Sequence, residues 1–182
     1  MTIKTARMTL IPTTAALARA EIADRPAFAA RLGASVPEAW PPETLRDALA
    51  FFLQQIEAAP EQAAWITWYG VADGKDGQPP TLVASAGFFG PPQDGTVEIG
   101  YSVLPEFQRR GYGAEAVGAL IGWALAQAGV RRVIANVAAG NTPSIRLLCR
   151  LGFSERGASE EPGHLRFERS AALVDGNAEE TA

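Results

Sequence analysis

The chain has 182 residues, 47% of them hydrophobic and 20% charged, which is enough apolar material for one domain with a substantial core and too short a chain for two. A net charge of −4 argues against a nucleic-acid partner, whose footprint is a basic stripe, and slightly favours cationic ones. With Cys149 as the only cysteine, an intramolecular disulfide and a cysteine-rich metal site are both excluded, and no metal is expected.

Met1 to Met8 has no long apolar run behind its charges, and no later segment is long enough to span a bilayer. A soluble, unprocessed cytoplasmic protein without a membrane partner is expected. Arg7 to Ile11 reads as a short strand ended by Pro12, with Thr13 or Thr14 placed to cap the next helix. Ala15 to Leu32 is alanine-rich and helical, divided in two by Pro26. Val36 to Pro42 is held extended by its prolines, with Trp40 in the middle. Glu43 to Ala58 carries Leu45, Leu49, Phe52, Leu53 and Ile56 at helical spacing and predicts one amphipathic helix.

Ala64 to Ala72 and Thr81 to Phe89 are runs of strand formers separated by the turn region Asp73 to Gly77. After a second turn at Gly90 to Gly95, Thr96 to Leu104 completes a three-stranded meander. Ala114 to Ala128 is a helix ended by Gly129, and Arg132 to Val137 a buried strand. Strand, crossover helix and strand make a right-handed unit with parallel strands, so the sheet is mixed. Pro143 to Leu151 reads as a short helix stopped by Gly152, with Phe153 to Arg156 and Leu165 to Arg169 as a closing hairpin. Residues 1–170 are expected to form the single domain, and 171–182 a polar, frayed tail.

Between the strand ending at Leu104 and the helix from Ala114 lies Gln108-Arg109-Arg110-Gly111-Tyr112-Gly113. Glycines here let a ligand approach the main chain, unpaired N–H groups at the helix start attract anions, and two arginines add charge. The same residues satisfy the dinucleotide fingerprint G-x-G-x-x-G/A. Pro105 to Phe107 interrupt the strand that fingerprint needs, however, and no carboxylate stands near Asn136, roughly 20 residues on. A plain capping turn without a ligand is the other option.

With its flanks, Glu98 to Phe153 resembles the GNAT superfamily of acetyl-CoA-dependent N-acetyltransferases. Gln108, Gly111 and Gly113 fit its Gln/Arg-x-x-Gly-x-Gly/Ala signature. Glu98-Ile99-Gly100-Tyr101, Glu115-Ala116, Asn141 with Ser144, and Leu151-Gly152-Phe153 are similar to the branch that acetylates ribosomal-protein alanines, the RimJ/RimL-like enzymes. The resemblance implies an α/β (α+β) GNAT fold: a mixed, mostly antiparallel twisted sheet of about six to seven strands, flanked by helices, with a central splayed parallel pair.

It also implies roles. Main-chain N–H groups of Arg109, Arg110, Gly111, Tyr112, Gly113 and Ala114 would bind the pyrophosphate of acetyl-CoA, with Gln108 in the signature and the arginine side chains assisting. The pantetheine arm would lie in the splay between the strand ending at Leu104 and the strand Arg132 to Val137. Val103 N–H would stabilise the oxyanion, Asn141 would contact the arm, and Ser144 would hydrogen-bond the leaving thiolate or cap its own helix. Glu98 is the candidate base, directly or through water, unless it is a solvent-facing strand carboxylate. Two positions depart from relatives: Leu148 stands where many have a tyrosine acid, and Asn136 where some have a glutamate base. A non-catalytic acyl-CoA sensor of the same fold is therefore the rival reading.

The acceptor is expected to be a primary amine, on a protein or a small molecule, and a homodimer is left open. Trp40, on a proline-stiffened loop, is expected to wall the acceptor cleft beside Glu98 and Tyr101. The lone His164 reads as a solvated loop residue, and Cys149 as core.

Overall fold

A computed structural model describes residues 1–171; the expected tail beyond Ala171 lies outside the described residues. Its strands are β1 (Ile3–Lys4), β2 (Met8–Pro12), β3 (Thr67–Ala72), β4 (Thr81–Phe88), β5 (Thr96–Val103), β6 (Arg132–Ala138), β7 (Ser154–Ala158) and β8 (His164–Ser170). They form one eight-stranded sheet in the order β1-β2-β3-β4-β5-β6-β8-β7. All neighbours are antiparallel except β5 and β6, whose parallel pairing ends at Glu98 opposite Ile134. The mixed, mostly antiparallel sheet is as expected, with one strand more: the two-residue β1 carries too short a pattern to read.

Helices α1 (Ala15–Ala23), α2 (Arg25–Leu32), α3 (Glu43–Arg46) and α4 (Leu49–Ala58) precede β3. Thr14 caps α1 by accepting from Leu17 N–H at 3.2 Å, and Asp24 caps α2, whose first turn holds Pro26. Leu17, Phe28, Leu32, Trp40 and Leu45 pack with Tyr69, Val71 and Leu82 on one face of the sheet. On the other face α5 (Tyr112–Leu125) and α6 (Thr142–Arg150) cover a larger core built on Val117, Leu120, Ile121, Val133 and Leu148.

Four expectations are corrected. The helix expected over Glu43 to Ala58 divides at Asp47, where Ala48 N–H bonds Leu45 C=O and tightens the turn. Residues before Thr67 are a 3₁₀ turn, Pro60–Trp65, because β2 ends at Pro12 opposite Trp68 and offers no ladder further back. Trp40 is only 3% exposed: its ring fills the space over Tyr69, and its Nε1 donates to Glu21 Oε1 at 2.7 Å. Cys149 is exposed, since its neighbour Leu148 takes the inward face of α6 and successive helical residues point about 100° apart.

Candidate functional site

The loop from Gln108 enters α5 through two left-handed residues, Arg109 (φ 59°) and Gly111 (φ 86°). Gln108 is tied back to β5, its Nε2 donating to Val103 C=O at 2.9 Å. Among the described residues, the N–H groups of Arg109 through Ala114 find no protein acceptor, and the first to be paired is that of Glu115, to Gly111 C=O. Six consecutive donors are thus free at the positive end of a 14-residue helix. A Cβ on Gly111 would stand 3.1 Å from Arg7 Nη2, and one on Gly113 would stand 3.1 Å from Leu147 Cδ1.

Arg7 had no signal in the sequence. Its Nε donates to Glu115 Oε2 at 2.8 Å, its Nη1 to Arg110 C=O at 3.0 Å, and its guanidinium lies 4.9 Å from the Tyr112 ring centroid. Burial raises the Glu115 carboxyl's affinity for a proton, but hydrogen bonds from Thr5 and Arg7, with the Arg7 charge, outweigh it and hold the group below the ordinary carboxylate value.

Beyond Glu98, β5 and β6 part. Leu104 N–H bonds Val83 C=O on β4, so by strand alternation Val103 turns its N–H the other way, into the gap. Tyr101 bridges this opening, its hydroxyl donating to Ser144 C=O at 3.4 Å. Burial pushes the Tyr101 phenol up, opposed by a hydrogen bond with the Ser144 side chain. Asn141 caps α6, its Oδ1 accepting from Ser144 N–H at 3.2 Å. Ser144 therefore is not the cap, and its side chain lines the cleft.

The cleft measures about 380 Å³. Leu45 of α3, Ala48 in the link and Phe52 of α4 face Ser85, Gly87, Gly100 and Ser102 on β4 and β5, with Asn136 and His164 at one side. Glu98 does not line it directly. Its Oε1 accepts from Asn136 Nδ2 at 2.9 Å, and Asn136 Oδ1 accepts from Arg166 Nε at 3.4 Å. Asn136 thus stands between the carboxylate and the cleft. His164, expected in a solvated loop, begins β8 beside the cleft, its Nδ1 3.6 Å from Glu161 Oε1. Trp40 does not reach the cleft, and Leu45 and Phe52 wall it instead.

The profile of the acetyltransferase (GNAT) domain matches residues 7–154. The chain belongs to the GNAT acetyltransferase family. The N-acetyltransferase YjdG of Bacillus subtilis (strain 168) is 31% identical to it over 134 residues, which cover 73% of this chain and 77% of that one. A GnaT-family acetyltransferase from Bordetella pertussis superposes with a TM-score of 0.63 at 29% identity, over 93% of this chain and 99% of that one. Mycobacterium smegmatis RimJ, solved with CoA-disulfide, gives a TM-score of 0.63 over 94% and 88%; at 21% identity that likeness is one of fold. The protein is accordingly an acetyl-CoA-dependent N-acetyltransferase. No helix among the described residues is long and apolar enough to cross a membrane.

As a GNAT enzyme, the chain brings most of the residues expected from its sequence to one region. The donors at 109–114, Val103, Tyr101, Asn141 and Ser144 surround the gap between β5 and β6, and Glu98 lies at the point where that gap opens. Residues missed in the sequence are Arg7, Thr67, Ser85 and the α3–α4 roof. Only a fold-level alignment of β4 against β5 could have put Ser85 opposite Ser102.

Proposed function

We propose that this GNAT enzyme acetylates a primary amine by direct attack within a ternary complex, with the amine entering the cleft beside Asn136 and the coenzyme held at the start of α5. The observation that carries the reading is the run of six free N–H groups leading into the first turn of α5, at one end of a gap whose other end opens on an amine-sized cleft. The glycines fit a tightly folded cradle: a Cβ at 111 would crowd the guanidinium of Arg7, and one at 113 would crowd Leu147 and Val103. Acetyl-CoA, when bound, supplies an acetyl group activated as a thioester.

The residues divide the work as follows. Arg109 to Ala114 bind the diphosphate through main-chain N–H, with Arg109 and Arg110 adding charge, while Gln108 fixes the loop to β5. Val103 N–H, free of β4, is oriented to stabilise developing negative charge on the acetyl oxygen. Glu98, oriented by the hydrogen bond from Asn136 Nδ2, takes the ammonium proton directly or through a water, which leaves the amine nucleophilic. Ser144 donates to the departing sulfur, and the amide nitrogen of Asn141, left over from capping, steadies the pantetheine arm. The test is thiol release from acetyl-CoA with a panel of amines. Amine-dependent release is expected; tight coenzyme binding with no release above background would leave only a binding module.

A further inference from the structure

The chemistry of the acceptor cleft narrows its substrate, on the reading above that the amine enters there. Its floor is a row of hydroxyls crossing three strands. Thr67 Oγ1 and Ser85 Oγ lie 3.2 Å apart, and Ser85 stands opposite Ser102 in the β4–β5 register. Beside them Gly87 faces Gly100. A Cβ on Gly87 would strike Ile66 C=O, and the ring of Phe89 closes over Gly100. Phe89 is itself 70% exposed, an apolar lip on the cleft. Leu45 and Phe52 form an apolar roof.

Among the described residues, no Asp, Glu, Lys or Arg lines the cleft. Its titratable side chains are Tyr101 and His164, and His164 is already shared with Glu161. Two carboxylates stand behind that lining, Glu98 against Asn136 and Glu161 against His164; Glu161 already faces the imidazole, which leaves Glu98 as provision for a single ammonium group. A second ammonium would leave water without a counter-charge of its own, and a carboxylate on the acceptor would face Arg166 only across Asn136, where that guanidinium already contacts Glu160.

We infer that the acceptor is a primary monoamine on an uncharged, partly apolar body, whose neutral polar group meets the Thr67–Ser85–Ser102 hydroxyls. Diamines, polyamines, aminoglycosides and free amino acids are poor acceptors for this cleft. The chemistry is met equally by a free amine and by the neutral first residue of a polypeptide.

Matched pairs test it in the full-length enzyme by initial rates of thiol release: hexylamine against 1,6-diaminohexane, and alaninamide against alanine. In each pair the singly charged amine should be favoured in kcat/KM by at least about a hundredfold. Parity, or preference for the doubly charged member, overturns the inference while leaving amine acetylation intact. No release with any amine sinks both. A neutral tetrapeptide amide beginning with alanine, turned over faster than alaninamide, supports a polypeptide source, and slower turnover supports a small free amine. Ala48→Glu, on the half-buried roof, adds a carboxylate and should raise the diaminohexane-to-hexylamine ratio about tenfold. Coenzyme affinity serves as the fold control, and an unchanged ratio in a folded variant counts against charge as the selector.

Discussion

Arg7 and Glu115 lie 108 residues apart in sequence and hold each other through three contacts: Arg7 N–H to Oε1 at 2.8 Å, Nε to Oε2 at 2.8 Å, and Nη2 to Oε2 at 2.7 Å. Through Nη1 the same guanidinium also grips Arg110 C=O, so the strand pair β1–β2 braces the loop that precedes α5. Arg7→Ala leaves a half-buried carboxylate that keeps its Thr5 hydrogen bond and should cost about 1 kcal/mol of stability by urea unfolding. Since the loop loses its brace as well, the KM for acetyl-CoA should rise severalfold with kcat little changed. A kcat loss at unaltered KM would place Arg7 in the chemistry rather than in the scaffold.

Two carboxylates give opposite pH signatures. Glu115 has a folded value below its reference of 4.5, so its contribution is fully present above 4.5 and is lost as pH falls through the lowered value. Glu21 is raised, chiefly by burial and against hydrogen bonds from Tyr69 and Trp40; its contribution is fully present below 4.5 and is lost as pH rises through the raised value. Urea unfolding of Glu115→Gln across about pH 3 to 7 should flatten the wild-type acid limb, and Glu21→Gln the decline on the other side. Coincident profiles for wild type and either variant would remove that residue from the linkage.

Gly111→Val forces a β-branched residue to φ 86° and drives its Cβ toward Arg7 Nη2. About 1–2 kcal/mol of stability should be lost to the backbone alone. CoA affinity measured by calorimetry should fall at least about tenfold. Retained affinity in a folded variant would dismiss the main-chain cradle.

Glu98→Gln keeps a hydrogen-bond partner for Asn136 but removes the proton acceptor. Coenzyme binding should be spared and kcat lowered by about 10²–10⁴, with the largest deficit at low pH where the amine is most protonated. Rates equal to wild type at every pH would assign deprotonation to bulk water.

Trp40→Ala empties a site that is 3% exposed and strands Glu21 Oε1, so about 3–5 kcal/mol should be lost in thermal or urea unfolding. Trp40→Phe should recover part of it. Because Trp40 is apart from the cleft, the surviving folded fraction should keep the wild-type KM for amine, and a large KM change would restore it to the acceptor wall.

The start of α5 was legible because its information is local: Gln108, Gly111 and Gly113 are spaced by the turn they must make, and the left-handed φ at Gly111 follows from that turn. Alternating strands and the crossover helix were legible for the same reason. Trp40 misled because proline-rich sequence reads as exposed loop, while the gap it fills exists only once α1, α2 and β3 are assembled. His164 likewise looked like a loop residue until pairing with Ala138 brought it to the cleft.

By itself the sequence determined the half of the protein proposed to hold the coenzyme: a strand, a glycine-bearing turn and a helix, whose geometry is set by neighbours a few residues apart. The tertiary structure alone decided the cleft proposed for the acceptor. Thr67, Ser85, Ser102, Asn136, His164 and the roof residue Phe52 come from six different elements or their edges, and their meeting depends on strand register and on where β5 leaves β6. Register is fixed by long-range packing, since a one-residue slip turns every side chain to the opposite face, and no local pattern records which strand will lie beside which.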